Sequence, residues 1–173
     1  MTAFIALLRA VNVTGTGKLP MTELKAMCEA AGLKSVKTYI ASGNVVFKSN
    51  KTEAKVKALL EAAATAYVGK PVGVMVRTAA EMAAVLAKNP FAELAASHTL
   101  AIFLDAPPPP SAVEDVARQV DEQIRLGERE IYFYYPQGQG QSRLNIRAGK
   151  SGTGRNMNTV AKLAEMAAAL LGE

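Results

Sequence analysis

Apolar positions along the chain recur with two periods, and the switches between them predict its elements. Thr2 to Val11 is a nearly continuous apolar run, which predicts a buried strand. The loop NVTGTGKLP follows, and Pro20 suits the first position of a helix. Met21, Leu24, Met27, Cys28 and Ala31 then recur at helical spacing, with Gly32 as the stop. Two short runs, Val36–Ala41 and Asn44–Lys48, flank Ser42-Gly43, the sequence signal of a hairpin. A two-residue loop sets Ala41 opposite Asn44, Tyr39 opposite Val46 and Lys37 opposite Lys48. It also pairs Ile40 with Val45 and Thr38 with Phe47. Alternation then separates a core face (Val36, Thr38, Ile40, Val45, Phe47) from a polar, basic face (Lys37, Tyr39, Asn44, Lys48). Gly43 supplies a positive φ.

Residues 51–68 read as a helix with Val56, Leu59, Leu60, Ala63 and Tyr67 inward, and VGVMVR (72–77) as a strand. The order through residue 77 is β-α-β-β-α-β, that of a ferredoxin-like plait. Thr78 with Glu81 forms a capping box for a short helix to Ala87, which KNPF ends. A strand is expected over 98–106. Four prolines, 107–110, form a stiff spacer, with a Pro-rich docking motif as the alternative. Ser111 and Glu114 then cap a helix to Val120. Further strands are expected over 130–135 and 142–148, and a last helix over 157–171. The predicted fold class is α+β: two tandem ferredoxin-like (α-β plait) subdomains, 1–77 and 98–173, joined by a connecting helix and loop, 78–97. The second half, β-α-β-β-α, lacks a closing strand.

Composition narrows the picture. Half of the 173 residues are hydrophobic, enough for a core. The one cysteine, Cys28, lies on the apolar stripe of its helix; it excludes an internal disulfide and fits a reducing, cytoplasmic setting. The opening MTAFIALLRAVNV has no basic region before its apolar stretch and reads as a strand rather than a leader. No apolar run reaches the ~18 residues of a membrane span. The net charge is +5, and it is concentrated. From Ile131 to Ala164 there is no Asp or Glu, whereas Arg143, Arg147, Lys150, Arg155 and Lys162 supply five positive charges; the remainder balances at fifteen of each sign. The excess points to an anionic partner for the C-terminal third, or to a solvated basic face.

In a ferredoxin-like order the first two strands run parallel, because a helix crosses between them. The loop Asn12–Lys18 and the hairpin tip Ser42-Gly43-Asn44 then share one edge of the sheet, near Arg9. Glycine-rich backbone, Arg9, Lys18, Ser42 and two amides would make a small anion cradle beside a helix start. TGTGK is not a nucleotide-hydrolysing P-loop, since Leu19 stands where Ser or Thr is needed and the upstream glycine is missing. A second glycine-rich basic loop, SGTGRNMNT (151–159), is expected to enter the last helix, with Asn156 or Asn158 as its cap. There Arg155 opposes the helix dipole and so needs a partner, an anionic ligand or a carboxylate of the fold. His98 is the only histidine, so no histidine or cysteine metal set and no Ser-His-Asp set is legible. No metal or cofactor is expected.

The stretches ALLRAVNV (6–13), KLPMTELKAMCEAAGL (18–33), VKTYIASGNVVF (36–47), YYPQGQGQSRL (134–144) and RNMNTVAKL (155–163) resemble the domain-of-unknown-function family 1697. The resemblance implies two tandem ferredoxin-like subdomains and polar motifs from both halves sharing one site. It places the family's motifs on Arg9, Asn12, Tyr39, Ser42, Gly43, Asn44, Ser142, Arg155, Asn156 and Asn158. This chain has Thr14-Gly15 where many members have two glycines, Met157 where many have Trp, and a shorter segment between SRL and RN. The family carries no assigned activity. Three readings stay open: a binding protein for a nucleotide, nucleic acid or other phosphate-bearing ligand; an enzyme on a small anionic substrate; or a structural or regulatory protein whose polar motifs satisfy its own turns. Oligomeric state is left open.

Overall fold

The computed structural model describes residues 1–13 and 17–173. Helices and antiparallel sheets are mixed along the chain, which divides into two compact units: residues 1–83 with 162–173, and residues 84–161. The last helix is thus split. Its first residues belong to the second unit, whereas 98–173 is expected as one piece.

In the first unit, β1 (Thr2–Leu8), α1 (Met21–Ala30), β2 (Lys34–Thr38), β3 (Asn44–Ser49), α2 (Glu53–Val68) and β4 (Val74–Thr78) follow the predicted order. Their sheet runs β2-β3-β1-β4, with every neighbour antiparallel. β1 and β2 therefore point the same way. One sheet face (Phe4, Ala6, Leu8, Val45, Phe47, Val74, Val76) joins Leu24 and Cys28 of α1 and Val56, Leu60 and Ala64 of α2 in one core. Tyr67, expected inward, is 48% exposed. Thr52 caps α2 through Lys55 N, and Gly69 ends it at φ 86°.

The hairpin differs in register. Lys37 pairs with Val46 and Thr38 with Val45, and Tyr39 N donates to Asn44 O at 2.9 Å. Four residues, 40–43, form the turn, with Ile40 and Gly43 both at positive φ (48° and 91°). The slip is of two residues, so each side chain keeps its expected face. Ile40 leaves the core for the exposed turn. The face expected to be polar also carries Val46, fully buried, and Lys37 and Lys48 bond the last residue, Glu173, at 3.1 and 2.8 Å.

The Thr78–Glu81 capping box forms as predicted, with bonds of 2.8 and 3.1 Å, and starts α3 (Ala79–Ala87). The second unit holds β5 (Thr99–Phe103), β6 (Val116–Ala117), β7 (Gln123–Leu126), β8 (Glu130–Tyr134), β9 (Asn145–Ile146) and β10 (Thr153–Asn156), before α4 (Met157–Leu171). Its main sheet runs β10-β5-β8-β7, again antiparallel throughout, while β6 and β9 form a separate ribbon.

Three expectations are corrected here. A closing strand is present: β10 pairs with β5, Arg155 opposite Ala101. The helix expected from Ser111 to Val120 is only a short 3-10 turn, Pro110–Val113; Val116 goes instead to β6, where it packs on the core partly buried, Arg118 turns left-handed at φ 60°, and Val120 is 89% exposed. The strand expected over 142–148 shrinks to Asn145–Ile146.

Candidate functional site

At the end of β1 the backbone is left-handed at Ala10 (φ 55°) and again at Asn12 (φ 57°), conformations that cost non-glycine residues free energy. Asn12 holds this bend. Its Oδ1 accepts from Leu19 N at 2.7 Å, and its Nδ2 donates to Leu19 O at 2.7 Å and to Ala41 O at 2.8 Å. One side chain thus closes the crossover loop and ties it to the hairpin tip. Leu8 N donates to Gly43 O at 2.8 Å, and a Cβ on Gly43 would stand 2.7 Å from a Val11 methyl, so the tip seats on the strand end only as glycine.

Asn44 is fully buried; its amide donates to Tyr39 O at 2.8 Å and to Ser42 Oγ at 2.9 Å. The structure therefore brings Asn12, Ser42, Gly43 and Asn44 to one edge, beside a half-buried Tyr39. Arg9 and Lys18 are exposed. Arg9 N donates to Gly73 O at 2.8 Å, which fixes its backbone against the approach to β4. Pro20 gives α1 no side-chain cap. Thr14, Gly15 and Thr16 of the expected cradle lie outside the described residues.

The later motif is built differently from the expected loop. Arg155 sits on β10 with its side chain inward, and Nη1 donates to Thr153 Oγ1 at 2.7 Å and to Gly154 O at 2.9 Å. Burial pushes its guanidinium down to about 10, which leaves it charged at neutral pH. The glycines serve strand packing: a Cβ on Gly152 would lie 2.5 Å from Phe103 O. Of the two expected caps, Asn156 does the work, its Oδ1 accepting from Thr159 N at 2.9 Å, and Asn158 is exposed.

Ser142 leads to residues that sequence reasoning missed. Its Oγ donates to Glu122 Oε2 and accepts from Leu144 N, while Glu122 Oε1 accepts from Val120 N at 2.7 Å. These bonds, Ser142 first, hold the buried Glu122 carboxyl below the usual range. Around this pair the second unit opens a pocket of about 900 Å³, lined by Arg118, Tyr135, Gln137, Gln141 and Arg143 among others. No periodicity marks these residues, and Glu122 and Ser142 are too far apart in sequence for a motif. Buried Arg77 on β4, 1% exposed, was equally illegible, reading as the end of an apolar strand.

A family model, Protein of unknown function (DUF1697), matches residues 1–132. The chain belongs to DUF1697. The motifs at 134–144 and 155–163 lie beyond the matched residues. No curated protein matches this DUF1697 chain. The solved structure of a conserved bacterial protein, SP0830 from Streptococcus pneumoniae, is similar over 96% of this chain and 98% of its own, with a TM-score of 0.75 at 22% identity. That likeness is one of fold. Among the described residues no helix is long and apolar enough to cross a membrane.

Proposed function

We propose that this DUF1697 protein is a cytoplasmic binder of an anionic, phosphate-bearing ligand, received in its first unit by Arg9 and Lys18. The carrying observation is the clamped crossover. Between the two cations, Asn12 ties its own backbone to Leu19 and to Ala41 through three hydrogen bonds, on a backbone that is left-handed at Ala10 and Asn12. Such strain persists only where the surroundings enforce it, and it favours a pre-organised binding surface. The uncapped start of α1, just after Lys18, adds backbone N–H donors of the kind that attract anions.

Asn12, Ser42 and Asn44 direct their polar groups at the protein's own backbone and at each other. In this reading they position the site, and the cations touch the ligand. Gly43 supports the edge from behind and Tyr39 flanks it. Arg155, Asn156 and Ser142 contribute to the second unit's framework, with Asn158 exposed beside them. We further read the two sheets, each with its first strand in the same internal position and all neighbours antiparallel, as tandem ferredoxin-like subdomains.

The test is binding of a fluorescent single-stranded RNA oligonucleotide and of a labelled nucleotide at several salt concentrations. Phosphate contacts predict an affinity for one of them that falls at least about tenfold between roughly 50 and 200 mM salt. Arg9→Ala with Lys18→Ala should remove most of that dependence. An affinity indifferent to salt, or untouched by the double substitution, would count against the proposal.

A further inference from the structure

The pocket of the second unit is walled by two loops that a single carboxylate holds in place. Glu122 accepts from Val120 N and from Ser142 Oγ, and Gln119 Nε2 donates to Glu122 O at 2.7 Å. The loop 118–122 is thereby fixed to the loop that carries Ser142 and Arg143. Within it Arg118 is left-handed at φ 60°, a conformation that costs an arginine and needs this bracing.

The groups this frame presents form a coherent set. Arg118 and Arg143 line the pocket and are exposed, and neither takes part in an ion pair among the described residues. Tyr135 is 7% exposed, with its ring stacked on Phe133 at 5.9 Å, yet its hydroxyl has no hydrogen-bond partner among the described residues. No buried side-chain oxygen there is left unsatisfied, so the small exposed part of Tyr135 is its hydroxyl end. Burial and the Glu122 carboxylate push that phenol up to about 12, keeping it a neutral donor. Gln137 and Gln141 add exposed amides, each both donor and acceptor.

Asp121 and Glu122 balance the two arginines in formal charge, so the lining attracts an anion through the placement of its guanidinium groups and not through a net charge. Both Glu122 carboxylate oxygens are engaged within the frame, and Asp121, exposed, is left as an acceptor. The volume, about 900 Å³, lies within the range of small-molecule sites. Two guanidinium forks fit phosphate oxygens, a rim carboxylate fits sugar hydroxyls, and amides fit the edge of a base.

We propose that the pocket between the 118–122 and 137–143 loops is a second binding site, for a ribonucleoside monophosphate, with Arg118 and Arg143 on the phosphate and the accessible Tyr135 hydroxyl as a donor. The site is built from residues of the second unit and does not depend on the reading given for the cations of the first.

Isothermal titration with AMP and with inorganic phosphate tests it on the whole chain. AMP should bind, and Arg118→Ala with Arg143→Ala should weaken it by at least about tenfold, the loss expected when charge-assisted contacts are removed. Tyr135→Phe, which keeps the ring and its packing, should weaken it by a smaller factor with an unchanged thermal midpoint. Arg9→Ala should leave AMP binding at this site in place. Absence of AMP binding, or AMP binding that survives the double arginine substitution, overturns the proposal. Inorganic phosphate binding as tightly as AMP overturns the nucleotide assignment.

Discussion

The two units arrange their four main strands alike and connect them differently. β4-β1-β3-β2 in the first corresponds to β10-β5-β8-β7 in the second, antiparallel throughout. In the first unit two long helices make the connections and bury Leu24, Cys28, Val56 and Leu60 against the sheet. In the second, short 3-10 turns and a two-stranded ribbon replace them, and the corresponding cluster is smaller: Leu100, Ile124, Ile131, Phe133, Tyr135 and Ile146 with a few neighbours. The contrast teaches where polar side chains go. Beside the helix-covered sheet, amides such as Asn44 turn inward and become clamps. Where short turns connect the strands, Arg118, Gln137 and Arg143 are left facing an open pocket.

The largest test of this contrast is core truncation. Leu60 is 1% exposed in the middle of α2, and Leu60→Ala should cost about 2–5 kcal/mol in urea unfolding. Ile124, 6% exposed at the margin of the smaller cluster, should fall at or below the lower end of that range on truncation to Ala. Equal losses would show that the helices add no packing advantage.

Polar clamps come next. Asn44→Ala removes the amide that donates to Tyr39 O and Ser42 Oγ inside the protein and should cost about 1–3 kcal/mol. Asn158, exposed at the start of α4, should change stability by no more than about 0.5 kcal/mol when replaced by Ala. If both were silent, the Asn44 bonds would not support the hairpin tip.

The same contrast explains what the sequence disclosed. Long helices leave a strong imprint, so α1, α2 and α4 and the order of the first unit were legible, and the Thr78–Glu81 box marked α3. The adjacency of the crossover loop and the hairpin tip followed from strand direction alone, and the Asn12–Ala41 bond realises it. Short connections leave little imprint. Ser111 and Glu114 suggest the cap of a helix that ends as a single 3-10 turn, Pro110–Val113, and β7 has only four residues to show its alternation. β10 was hidden by Gly154 and by Gly152 just before it, which serve close packing on β5 but suggest a ligand loop. The hairpin kept its faces despite its wrong register, because a slip of two preserves side-chain direction. Of the candidate site, the cations and the clamps were legible as residues; the pocket was not, because the contact of Glu122 with Ser142 joins residues distant in sequence.

The smallest effect expected is also the one that best separates the units, because it depends on pH. Glu122 is held below the usual carboxylate range, first by Ser142 and then by Val120 N. A folded value below the unfolded one means that the unfolded chain takes up the proton first as pH falls. The contribution of Glu122 is therefore fully present above the ordinary carboxylate range and is lost as pH drops toward the lowered folded value. The difference in thermal midpoint between the wild type and Glu122→Gln should shrink as the pH falls through and below the ordinary carboxylate range. Ser142→Ala removes the strongest contributor and should narrow that window by moving Glu122 back toward its ordinary value. The buried thiol of Cys28 in the first unit, pushed up to about 12 by burial and by Glu29, gives no such signal over this range, so Cys28→Ala should leave the acid dependence of the midpoint unchanged. A Glu122→Gln variant whose deficit stays constant on acidification would show that the carboxylate is not held in its charged form, and that the loop bearing Arg118 is braced by something other than Glu122.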